Sequence, residues 1–480
     1  MNTFAVRASH YLKLALLGIA AVCCGCGGSS RQGHVDTAAA SAIPSQTQAN
    51  APLSANDVSW LFPVPTRAQD FANLIAIRDI TTPNPQDPTK RDPVWNDATF
   101  QQFLNIVNGP QTRVAGTQSQ VSLPAEARVV DAWFVAGIRI DAGAPGLSSD
   151  IRAQFGQLPE IRLIIQPIIK NPDGSPKVLD IAGHLIFDFV ILPPELPAPT
   201  DCFPRFAPDV DAFNSVIADV AVLRTKLNNG QLGTHAVSTA GVPLGVHPGL
   251  ADAATANAVR NEMLALLERH ISAQRLGSMA IAGLPASAPA PWIFLSIVGD
   301  RAGHFFPAHG PTLDGSDQQF AQMLNPAGTN PRVVPEPHTN NLNPVTCKNA
   351  AVSATSLPIA IRRGVATFTV FATPPPPPDQ SKRILDTIAD PTKSFFFNTD
   401  CISCHTDTRR SMDVLKVTDI PGINRAALPN GQWDVRNFGW GDAGKAGMQA
   451  TVTRRTANET AASVSFINAQ LVARQAVPDH

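Results

Sequence analysis

The hydrophobic pattern of this chain changes period along its length. Between residues 128 and 192 the apolar positions come in short runs rich in β-branched and aromatic side chains: 129–135, 137–140, 161–169, 178–181 and 185–190. Runs of that kind predict strands. Asn171-Pro172-Asp173-Gly174 stands between two of them. Pro presets φ and Gly accepts positive φ, so a hairpin of an antiparallel sheet is predicted there, with Pro167 at an edge or a bulge. Helical spacing appears before and after. Phe100, Phe103, Leu104 and Val107 share one face; so do Phe213, Val216, Ile217, Val220 and Leu223, and then Val259, Met263, Leu266, Leu267 and Ile271. Strand signals return at 292–298 and 365–371. With no repeat period, 59–373 reads as one α+β unit, or two that the pattern does not divide.

Five consecutive prolines at 374–378 favour an extended polyproline segment and make a linker. Beyond it, Ser381 is placed to cap a helix carrying Ile384, Leu385 and Ile388, which Pro391 stops. Thr456-Ala457-Asn458-Glu459 has the form of a capping box opening a helix through Arg474, with Val464, Ile467 and Leu471 on one face.

At the other end, Arg7 and Lys13 precede the apolar run 14–22, and Cys23-Cys24-Gly25-Cys26-Gly27-Gly28-Ser29-Ser30 follows. A charged start and an apolar run too short for a bilayer make an export signal, assigned to residues 1–25. The cysteine at its end resembles the lipidation site of bacterial lipoproteins, with Cys26 preferred, Cys23 and Cys24 as alternatives, and plain secretion as the other reading. Residues 26–58, mostly Ala, Ser, Thr, Gln and Asn, read as a flexible tether. The expected location is the periplasm or cell envelope, on a membrane through the lipid.

Composition narrows the partners. In 480 residues only 16% are charged and the formal net charge is −1. No basic stripe serves nucleic acid. The 43 prolines and 32 glycines argue against long helical bundles.

The chemistry concentrates in Cys401-Ile402-Ser403-Cys404-His405. With seven Cys and eleven His in the chain, chance supplies such a pattern about 0.002 times. It resembles the haem-attachment motif of c-type cytochromes. That resemblance implies one covalent haem c, with thioethers at Cys401 and Cys404 and proximal iron coordination by His405. A redox Cys-x-x-Cys, a half zinc site and a disulfide are the competing readings of the same residues. The resemblance covers 379–480 and implies a small all-α domain with one helix before the motif and one at the C-terminus. It also places a distal ligand between the motif and the last helix, where Met448 stands; a core or loop methionine is the alternative. Met412 is too near the motif to reach the opposite face. Trp433, Phe438 and Trp440 are either haem walls or ordinary core. Arg454 and Arg455 are either propionate partners or exposed helix-start bases.

Elsewhere the signals are weaker. Cys202 and Cys347 suit a disulfide in an oxidising compartment. His304 and His309 flank an apolar stretch as a conceivable ligand site, against capping or surface roles. His184 and His270 lie within apolar patterns and read as core or face residues. The expected protein is a β-rich α+β unit followed by a cytochrome-like domain, carrying single electrons to an unidentified redox partner protein. A haem enzyme of the peroxidase or oxidase kind, or a haem redox sensor whose upstream unit binds a ligand, is the alternative.

Overall fold

The computed structural model describes residues 52–84, 86–109, 123–145, 158–193, 206–283, 293–307, 378–393, 401–431, 434 and 436–475. The predicted signal, Cys26, most of the tether, Cys202, Cys347, His309, Trp433, the strand at 365–371 and the first four linker prolines lie outside them.

In chain order, a short helix α1 (Ala55–Val58) runs straight into strand β1 (Ser59–Leu61). The hairpin β2 (Thr81–Pro83) and β3 (Arg91–Pro93) precedes helix α2 (Asp97–Val107), which Asn96 caps by accepting from Thr99 N at 2.9 Å. Four strands come next: β4 (Trp133–Asp141), β5 (Glu160–Lys170), β6 (Pro176–Val178) and β7 (Ala182–Asp188). The small pair β8 (Val190–Ile191) and β9 (Ala207–Pro208) leads into helices α3 (Val210–Asn228), α4 (Pro248–Ala251) and α5 (Ala256–His270). Strands β10 (Leu276–Gly283), β11 (Ile293–Gly299) and β12 (Phe305–Pro307) follow. The C-terminal segment holds α6 (Pro378–Ala389), α7 (Cys401–Leu415), the hairpin β13 (Phe438–Asp442) and β14 (Met448–Val452), and α8 (Arg454–Gln475).

The main sheet runs β1-β4-β5-β7-β10-β11-β12, all antiparallel, with β6 added beside β5. The predicted β5–β6 hairpin forms, with Gly174 at φ +80 and its N–H donating to Asn171 O at 2.8 Å. Pro167 sits where the partner of β5 changes from β7, last paired at Ile165↔Gly183, to β6, first paired at Ile168↔Val178. A missing N–H costs least at such a change of partner.

Alternation gives the sheet two unlike faces. One carries Ile161, Leu163, Ile165, Leu185 and Phe187, all buried. On that side Trp133 joins Trp95, Phe100 and Phe103 in a cluster of edge-on and stacked rings, with centroids 4.9–6.4 Å apart. The other face carries Arg139, Glu160, Arg162, Ile164, Gln166, His184, Ile186 and Asp188.

The C-terminal segment packs on this second face. A Cβ on Gly137 would stand 2.7 Å from the Phe438 ring, and one on Gly439 would stand 2.9 Å from Gln166 Oε1 and 3.1 Å from Ile164 Cγ2. Glycine is needed at both points because ring and backbone pass so close to the strands. All described residues accordingly fall within one compact unit, and Phe438, Trp440, Val452 and Ile467 belong to the same buried core as the sheet.

Four expectations change here. Helix α6 opens at Pro378, the last residue of the expected linker, so Ser381 is buried inside the helix and does not cap it. The segment after the prolines is not all-α, because β13 and β14 pair from Phe438↔Val452 to Asp442↔Met448. Its last helix starts at Arg454, two residues before the predicted cap Thr456; Thr453 Oγ1 accepts from Thr456 N at 3.4 Å instead. Order also begins earlier than the end of the expected tether: Leu53 N donates to Asn468 Oδ1 at 2.8 Å, and Asn468 Nδ2 returns the bond to Leu53 O at 2.9 Å. Polar composition hid that segment, since its burial depends on a partner 415 residues away.

Candidate functional site

Cys401, Cys404 and His405 lie at the start of α7. Spacings of three and four residues put those positions on one face of a helix. Cys404 and His405 are half-buried. The same helix turns Asp407, Thr408, Arg410 and Ser411 inward, all buried.

Two arginines at the start of α8 fix α7 in place. Arg454 N donates to Thr408 Oγ1 at 2.7 Å, its Nη1 pairs with Asp386 of α6 at 2.6 Å, and its Nε approaches Asp407 Oδ2 at 3.4 Å. Arg455 pairs with Glu459 at 2.6 Å, and its Nη1 donates to Ile388 O at 3.2 Å. Neither is an exposed helix-start base, one of the two roles that the sequence leaves open. Burial lifts the Asp407 carboxyl to about 6, and Arg454 and Thr408 offset only part of the rise.

Glu459 carries the connection to the sheet. It accepts Arg455 on one side and Arg139 of β4 at 2.8 Å on the other. Burial pushes this carboxyl up, but Arg455 and then Arg139 more than offset it, holding it down at about 2. Arg162 pairs with Glu160 at 2.7 Å in the neighbouring strand. Arg436, buried before β13, reaches Asp180 at 2.9 Å. Helix α8, which holds α7, thus meets a sheet surface laced with paired charges.

His184 lies on that surface. Register places Gly137, Ile164, His184 and Ala280 in one row across β4, β5, β7 and β10, with Arg139, Arg162, Ile186 and Ser278 in the next. Phe438 covers the Gly137 end of the first row. Towards the other end His184, Ile186, Ser278 and Ala280 are half-buried. Burial first, then the guanidinium charges of Arg162, Arg436 and Arg139, holds the His184 imidazole well below its usual proton affinity.

Met448 stands at the start of β14 opposite Asp442, next to the hairpin turn. Trp440 is fully buried, its Nε1 donating to Phe62 O at 2.9 Å, and Phe438 packs on Gly137; both are anchors to the sheet. His270 bonds Asp219 at 2.7 Å, and the exposed His304 bonds Asp300 at 2.7 Å and takes part in a local turn. Sequence reasoning leaves His184 as a core or face residue and misses its place on the sheet face that the C-terminal segment covers. A signal for it exists in Glu160-Ile161-Arg162-Leu163 and His184-Leu185-Ile186-Phe187-Asp188, where every second residue marks one side of the sheet.

Among the described residues no group of three or more His, Cys, Asp or Glu is arranged around a metal ion, and no helix is long and apolar enough to cross a membrane. No family model, no curated protein and no solved structure matches this chain.

Proposed function

We propose that this chain is an exported, lipid-anchored c-type cytochrome that holds one covalent haem at Cys401, Cys404 and His405 and carries single electrons. The observation that carries the reading is the placement of two thiol positions and an imidazole on one face at the start of α7. That is the arrangement by which one edge of a flat macrocycle is tethered while a ring nitrogen approaches its centre. Bound there, the haem would supply a one-electron iron couple. The residues present fit it. Cys404 and His405 are half-buried, not sealed in the core, and the sheet face that the C-terminal segment covers has small side chains at Ser278 and Ala280. Buried arginines stand nearby to balance carboxylates.

The chain's own residues then have separate tasks. Cys401 and Cys404 would hold the group, and His405 would hold its iron. Arg454, through Thr408 and Asp407, and Arg455, through Glu459, hold α7 at a constant distance from the sheet. A fixed frame of this kind keeps reorganisation small as charge changes. The apolar start, Cys26 and the polar stretch after it support export and attachment to a membrane of the envelope, where a second redox protein would take up the electron.

The test is expression of the whole chain with its export signal in cells equipped for c-type haem maturation. Intact mass after removal of loose haem should show one haem added, with Cys401→Ser and Cys404→Ser each losing one thioether and the double variant losing the haem. A native chain with both thiols unmodified would contradict the proposal.

A further inference from the structure

The motif supplies one axial ligand, and the methionine expected from the resemblance stands beside a hairpin turn. The sheet offers another group. His184 is in β7, beside β5, and shares its cross-strand row with Ile164 and Ala280. Gln166 and Ile164, on the same face, touch the C-terminal hairpin. Since one-residue alternation fixes the face, His184 lies on the side that the C-terminal segment covers. It is half-buried, as are its neighbours Ile186, Ser278 and Ala280. A flat group can rest against small side chains such as Ser278 and Ala280, where a row of large ones would hold it off.

Two linked contacts set the spacing between helix and strand. Glu459 ties α8 to β4 through Arg139 at 2.8 Å, and Arg454 ties α8 to α7 through Thr408 at 2.7 Å. Arg139 lies in the row next to that of His184, two strands away, so α8 reaches the sheet beside that histidine.

We infer that His184, and not Met448, is the second axial ligand of the haem iron, so that the sheet and the Cys-x-x-Cys-His helix hold the group between them. This rests on the haem reading above. It also gives the upstream unit a role that the sequence did not suggest: half of the cofactor site belongs to a strand far upstream of the motif. Two neutral imidazoles make a closed iron suited to electron transfer, and at a lower potential than a methionine–histidine pair would set.

The experiment compares His184→Ala and Met448→Ala in the whole, haem-loaded chain. The native protein should be low-spin and indifferent to carbon monoxide, with a near-infrared magnetic circular dichroism band of bis-imidazole ligation. His184→Ala should keep its thioethers, turn high-spin, bind carbon monoxide and return to low-spin on adding imidazole. Met448→Ala should leave the spectrum unchanged. If His184→Ala does not fold, the native band alone decides, because a thioether ligand gives a different one. A methionine band, or a low-spin His184→Ala protein, overturns the assignment while leaving the covalent haem standing. Absence of covalent haem in the native chain overturns both.

Discussion

Gln166 holds the backbone of Trp440 from two sides: its Oε1 accepts from Trp440 N at 2.7 Å and its Nε2 donates to Trp440 O at 2.9 Å. A side-chain amide here does what a neighbouring strand would do, across a separation of 274 residues. The site depends on this contact, because the hairpin it secures leads directly into α8. Gln166→Leu would strand a buried N–H and a buried carbonyl, costing roughly 2–4 kcal/mol. Denaturant unfolding measures the loss, and a change under about 0.5 kcal/mol would contradict the role assigned to Gln166.

Glu459 is the other fastener, and it is ionic. Arg139 has only 8% of its side chain exposed, and removing Glu459 leaves this buried cation with the longer contact to Asp141 at 3.7 Å. Glu459→Ala should cost about 3–5 kcal/mol. Because the pair is largely shielded from solvent, raising the salt concentration should change the native protein's stability little through this contact. A loss that high salt also produced in the native protein would mark Glu459 as a surface pair.

Two of the buried groups that make stability depend on pH act in opposite senses. Burial pushes the Asp434 carboxyl up to about 7, against the bonds it accepts from Thr451 and Arg436 N. Unfolded, it ionises from its ordinary value of 3.8. Between these values the folded state keeps a proton that the unfolded state has released, so its stabilising effect is full below about pH 4 and lost as pH rises through about 7. His247, pushed down to about 3 by burial, does the reverse: its contribution is full above 6.5 and lost as pH falls towards 3. Asp434→Asn removes the first effect alone. Relative to the native protein, the variant should gain roughly 3–4 kcal/mol between about pH 4 and pH 8. Parallel curves from denaturant titrations across that range would refute the assignment.

Much of the fold is legible in residue order alone. Short β-branched and aromatic runs mark β4, β5, β7 and β11, and the Pro-Asp-Gly turn marks the β5–β6 hairpin because its chemistry is local. Apolar stripes mark α2, α3 and α5 for the same reason. The C-terminal segment is less legible. Its decisive glycine contacts are at Gly137 and Gly439, whose importance shows only when Phe438 and Gln166 are brought to them. Five prolines suggest a boundary, yet nothing local reveals that Trp440 and Glu459 find their partners in β5 and β4. His184 is hidden likewise: an imidazole among apolar residues reads as core until the strand register shows which face it occupies.

The most direct test is a potentiometric titration of the whole purified chain, followed by its absorption spectrum from oxidised to reduced. The predicted result is a covalent low-spin haem that titrates reversibly as a single one-electron couple, and that disappears with the pair of substitutions Cys401→Ser and Cys404→Ser. A chain that matures without haem, or whose only redox change is a thiol–disulfide couple at Cys401 and Cys404, would contradict it.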